Sequence, residues 1–136
     1  MLKKPWLWMG MFVFLLVACG RSATSAPVVV TDDANGTTVT LQPGQTLVVR
    51  LAANPTTGYL WQIAEVDRAV LRPLGEEAGY TPQASDGARL GAGGTAEWRF
   101  EAVGQGTTVL TLHYLRPWEA DAAPARTFTL TVKIAP

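Results

Sequence analysis

Covalent or acid–base chemistry has few agents in these 136 residues: one histidine, His113, and one cysteine, Cys19. His113 sits in the middle of a β-rich run and alternates there with Thr111. A metal centre or a Ser–His–Asp arrangement needs convergent partners. None is visible, so His113 reads as a surface or edge residue, and neither metal nor cofactor is called for. The acidic pairs Glu76-Glu77 and Asp32-Asp33 lie in turn-rich stretches and read as solvated charge. Catalysis is not the expectation.

Recognition chemistry is better supplied, in three separate segments. Asn54-Pro55-Thr56-Thr57-Gly58-Tyr59 starts stiff, because Pro55 fixes its own φ and restricts Asn54 to extended conformations. Thr56 and Thr57 add hydroxyls, and Gly58 permits a positive φ or close approach by another backbone. Gly91, Gly93 and Gly94, in Gly91-Ala92-Gly93-Gly94, leave main-chain groups almost uncovered, which suits hydrogen bonding to an extended partner backbone. Arg116-Pro117-Trp118 combines a planar fork of donors with a rigid aromatic of the kind enriched at binding hot spots. Taken singly, each has a plainer reading. The first is an ordinary turn, the second a flexible loop, and a tryptophan is more often packed than exposed.

The elements that must position these loops are strands. Short β-rich runs recur between Gly, Pro, Asn and Asp: Val28–Thr31, Thr38–Leu41, Gln45–Leu51, Tyr59–Glu65, Ala69–Leu74, Thr95–Val103, Thr107–Leu115 and Arg126–Ile134. Trp98, Phe100 and Ala102 alternate with Glu97, Arg99 and Glu101, and Phe128, Leu130, Val132 and Ile134 alternate with threonines and Lys133. Alternation of this kind gives each strand one core face and one wet face, and it assigns Trp61 and Trp98 to the core. Asn35-Gly36 and Gln42-Pro43-Gly44-Gln45 supply turns between the early strands. Seven to eight such strands predict an all-β, immunoglobulin-like antiparallel sandwich, with a small closed barrel as the competing architecture. Two strands separate the first loop from the second, and two more separate the second from the third. If successive strands reverse direction, all three loops fall at one end. That count depends on Ala69–Leu74 being a strand.

In this order and spacing the three segments resemble the chagasin family of cysteine-peptidase inhibitors, which shows Asn-Pro-Thr-Thr-Gly-aromatic, then Gly-x-Gly-Gly, then Arg-Pro-Trp or a near variant. Each is complete here, and the likeness runs from about Val28 to Ile134. The resemblance implies a wedge of three loops that inhibits papain-type, cathepsin L-like peptidases. Thr56 and Thr57 would enter the catalytic centre, and Gly91–Gly94 would run along the substrate cleft. Trp118 would pack on an aromatic surface flanking the cleft, with Arg116 steadying its loop or pairing with an acid.

Residues 1–18 read as a lipoprotein signal peptide. Lys3 and Lys4 precede an apolar run, Pro5 to Ala18, shorter than the ~20 residues a membrane-spanning helix needs. The run closes on Leu16-Val17-Ala18-Cys19, which looks like a bacterial lipobox with Cys19 as the lipidated residue. Residues 19–27 then form a small, polar tether to the domain at 28–136. The plainer alternative is an ordinary signal peptide with a chance cysteine. Loss of Lys3 and Lys4 leaves nine basic against eleven acidic side chains, a formal charge of −2, and nucleic acid calls for a basic excess. The expected protein is an exported, envelope-anchored monomer. The rival function is an immunoglobulin-like envelope lipoprotein acting as an adhesive or structural module. The stretch Gly75–Arg89 reads as a mobile connection, or as an extra contact surface under either function.

Overall fold

The computed structural model describes residues 25–83, 93–119 and 121–136. The signal peptide, Cys19, most of the tether, Gly91 and the later part of Gly75–Arg89 lie outside the described residues. The described residues form nine strands: β1 (Val28–Val30), β2 (Thr38–Leu41), β3 (Thr46–Ala53), β4 (Leu60–Glu65), β5 (Leu71–Pro73), β6 (Gly79–Pro82), β7 (Gly94–Ala102), β8 (Gly106–Leu115) and β9 (Arg126–Ile134). Single 3-10 turns occupy Asp32–Ala34 and Pro55–Thr57. One sheet runs β1-β3-β7, with β5 and β6 both on the far edge of β7, and the other runs β2-β9-β8-β4.

The sandwich is all-β, as the alternation predicts, but its sheets are mixed. β1 pairs with β3 and β2 with β9 in parallel, while the other pairings are antiparallel. The early strands account for this. β1 and β2 belong to different sheets, so the Asn35-Gly36 turn carries the chain between sheets instead of closing a hairpin. Gly36 and Gly44, at φ +77° and +81°, make the two early reversals.

The core lies between the sheets. Leu47, Val49 and Leu51 of β3 and Trp98, Phe100 and Ala102 of β7 meet Leu110, Leu112, Phe128, Leu130, Val132 and Ile134 from the opposite layer, all buried. Fully burying one such side chain stabilises by about 1.5–3 kcal/mol, and the row is long enough to hold a domain without a disulfide. On the outer face Glu97 bridges Arg50 at 2.8 Å and Arg99 at 2.7 Å. Those two hydrogen bonds, Arg50 first, hold the Glu97 carboxyl below its ordinary range against a small opposing effect of burial.

The strand count behind the loop argument needs one correction. Ala69–Leu74 contains only a three-residue strand, and β6 is a further strand inside the stretch read as a connection. Three strands therefore separate the first two loops. Both β5 and β6 run antiparallel to β7, with Leu71↔Ala102 in one register and Gly79↔Glu97 in a register three residues later. They are two pieces of one passage along β7, interrupted by an excursion around Gly75–Ala78. The direction of travel is unchanged, so the loops still meet at one end.

Candidate functional site

The first loop is a self-contained turn. The Asn54 side chain caps the Pro55–Thr57 turn, its Oδ1 accepting from the Thr56 N–H at 3.2 Å and from the Thr56 hydroxyl at 2.5 Å. Proline at the first position of this turn has no N–H that needs a partner. The Thr57 hydroxyl donates to the Asn54 carbonyl at 2.6 Å, and the Thr57 and Gly58 N–H groups bond to Asn54 and Pro55 carbonyls. Both threonine hydroxyls are thus turned inward as donors, while the side chains of Thr56 and Thr57 form an exposed tip. Gly58 closes the turn at φ +82°.

The third loop grips the first. Arg116 to Glu119 is a tight turn closed by the Glu119 N–H on the Arg116 carbonyl at 3.0 Å, with Pro117 at the position where a fixed φ favours turning. Arg116 donates through Nε to the Thr57 carbonyl at 3.0 Å and pairs with Glu119 at 3.3 Å. Within the chain, Arg116 thus braces the tip of the first loop and pairs with an acid of its own turn. Trp118 is 69% exposed, yet one edge of its indole lies on Gly58. A Cβ added there would stand 2.3 Å from the ring. Gly58 therefore supplies both a positive φ and the room for Trp118.

The second loop arrives beside the base of the first. Ala53 pairs with Gly94, and a Cβ at Gly93 would stand 3.1 Å from the Ala53 carbonyl oxygen and 3.9 Å from the Asn54 Cβ. A Cβ at Gly94 would fall 2.2 Å from the Thr81 carbonyl oxygen, so this crowded strand start also needs glycine. Of the residues singled out in the sequence, Asn54 to Tyr59, Gly93, Gly94 and Arg116 to Trp118 come together; Gly91 is outside the described residues.

Beneath the loops runs a column of aromatic rings and cations. Arg116 lies 4.5 Å above Tyr59, Tyr59 stacks on Tyr114 at 5.2 Å, and Tyr114 meets Trp61 at 5.0 Å. Arg126 then covers Trp61 at 5.2 Å and Tyr114 at 5.8 Å. Ring pairs and cation–ring contacts of this kind contribute about 0.5–1.5 kcal/mol each. Polar contacts lock the column to the loop base. The Asn54 N–H donates to the Tyr114 hydroxyl at 2.9 Å, and Trp61 Nε1–H and Arg126 both donate to the Ala52 carbonyl, at 3.0 and 3.1 Å. Arg126 also pairs with Asp32 at 2.7 Å, and the other Asp32 oxygen accepts the Ala52 N–H. Sequence reasoning missed Tyr114, Arg126 and Asp32, and it read Asp32 as solvated charge. His113, next to Tyr114, is half-buried on the outer side of β8.

Known proteins share this arrangement of strands. The sequence pattern of the chagasin family of peptidase inhibitors, I42, matches residues 40–132. Chagasin from Trypanosoma cruzi is 31% identical over 108 residues, spanning 76% of this chain and 94% of chagasin. Amoebiasin-1 from Entamoeba histolytica is 33% identical over 104 residues, spanning 76% of this chain and 96% of its own. The crystal structure of the cysteine protease inhibitor EhICP2 from Entamoeba histolytica is similar with a TM-score of 0.71 at 25% identity, covering 81% of this chain and 96% of that one.

Proposed function

This chain belongs to the chagasin family of peptidase inhibitors, and from that premise we propose that it blocks papain-type cysteine peptidases reversibly by seating its three loops in the active-site cleft. It is an inhibitor and not an enzyme, as its relatives are. The cysteine class of peptidase follows the name of the EhICP2 relative.

One observation carries the mechanism: the first loop is closed on itself and clamped from the side. Its N–H groups at Thr56, Thr57 and Gly58 are all bonded within the loop, and Arg116 holds the Thr57 carbonyl. A single 3-10 turn cannot lie along a cleft as an extended strand, so it offers no peptide bond in the geometry of a substrate. The wedge fills the cleft and is not cut. Because the loop is already ordered, little conformational freedom is lost on binding. Trp118, exposed and braced on Gly58, is the anchor on the flanking wall. Gly93 and Gly94 seat the start of β7 tightly against the base of the first loop. The adhesive-module reading gives no reason for a turn and a tryptophan built against each other.

The test is an inhibition titration of a soluble form beginning at Ser22 against papain, a cathepsin L-type enzyme and trypsin. Tight inhibition of the two cysteine peptidases with trypsin untouched is expected. A folded protein that inhibits neither at micromolar concentration would overturn the reading.

We also propose that the protein is exported and held at the cell envelope by lipid on Cys19. The lipobox-like Leu16-Val17-Ala18-Cys19 supports this, and a diacylglycerol plus an amide-linked chain gives the two signals stable anchoring needs. In a bacterial host, Cys19→Ser is expected to abolish incorporation of labelled palmitate and release the protein from membranes. Equal labelling of both proteins would contradict it.

A further inference from the structure

The flank of the wedge opens into a cleft that the three loops do not use. One sheet ends on β5 and β6 and the other on β4, and between these edges lies an apolar cavity of about 160 Å³. Buried Trp61 and Trp98 form its floor. Pro55 and Tyr59 line one end, so the cavity is continuous with the first loop. Leu60 and Tyr80 line it from the two edges and are left 45% and 41% exposed. Glu76 and Glu77, on the excursion between β5 and β6, complete the lining, and neither makes an ion pair among the described residues.

Size and charge select the occupant. Sites for small molecules span roughly 300–1,000 Å³, whereas an apolar cavity of about 150 Å³ holds one benzene. We infer that this cleft receives a single aromatic or branched apolar side chain, with a lysine or arginine next to it, from the wall of the bound peptidase. The inference rests on the wedge reading, which brings that wall alongside Pro55 and Tyr59. The two carboxylates complement the basic neighbour, and the floor of tryptophans takes the apolar group. Catalytic centres of one peptidase class share their chemistry, but their outer walls differ. The cleft is therefore the part of this inhibitor that discriminates among targets.

The experiment is hydrogen–deuterium exchange on the purified protein, free and bound to papain or to a cathepsin L-type enzyme, joined to association rates of the E76Q/E77Q variant. With at least one peptidase, Leu60–Gln62 and Gly79–Pro82 are expected to gain protection together with the first loop. With that peptidase the variant is expected to associate about two- to fivefold more slowly at low salt, with no difference at high salt and an unchanged melting temperature. A protected first loop beside an unprotected cleft in both complexes overturns the inference and leaves the wedge reading standing. Equal association rates for variant and parent remove the basic neighbour and overturn it as stated. Absence of inhibition overturns both.

Discussion

Gly58 and Trp118 form one unit, and the unit predicts how each responds to substitution. Any side chain at Gly58 meets the indole and must adopt a positive φ. Gly58→Ala is expected to displace Trp118 and weaken inhibition at least tenfold, read as an inhibition constant; an unchanged constant would show that the contact does not matter for binding. Trp118→Ala leaves the core untouched, because the ring is mostly in water. It is expected to weaken inhibition by about 2 kcal/mol, roughly 30-fold, at an unchanged melting temperature. A large fall in melting temperature would instead assign Trp118 a structural role. At this scale much was legible in the sequence: strand alternation separates buried Trp61 and Trp98 from Trp118, and the positive φ at Gly58 was foreseen, but the group that approaches it is the Trp118 ring and not another backbone. Tyr114, Arg126 and Asp32 were not legible. Their partners lie 60 residues away for Asn54–Tyr114 and 94 for Asp32–Arg126, a distance that only the pairing of strands closes.

At the scale of elements, strands act through what they hold. The aromatic and cationic column ties β4, β8 and β9 to the base of the first loop. Tyr114→Phe keeps the rings and removes only the hydroxyl that accepts the Asn54 N–H. It is expected to cost about 1 kcal/mol in unfolding free energy and to speed dissociation of the complex; a dissociation rate equal to that of the parent would detach the column from the wedge. On the outer face, the lowered Glu97 carboxyl adds stability that is present above its ordinary value of 4.5 and lost as pH falls through the lower folded value. Glu97→Gln should thus lower the melting temperature more at pH 7 than in acid, the gap narrowing as pH falls below 4.5; equal pH dependence in both proteins would contradict that. The long strands were readable because one face of each is buried. β6 was not, since all four of its residues are exposed and no alternation marks it. The parallel pairings of β1 and β2 were equally hidden, because a short run of Val or Thr says nothing of which sheet it joins.

For the whole molecule, the sandwich serves as a rigid mount for one end. Loops between different pairs of strands converge because β5 and β6 count as one passage, and contacts between the first and third loops brace them against each other. The mount was foreseeable from periodicity; the mutual bracing of the loops was not, since it depends on side-chain contacts across the end of the fold. The central claim is that this end occupies the catalytic cleft, and it is tested by measuring binding to papain with its cleft either free or filled by a covalent peptidyl inhibitor. Binding that is tight to the free enzyme and lost on filling the cleft is the predicted result. Equal affinity for both forms would place the contact elsewhere on the peptidase and contradict the account.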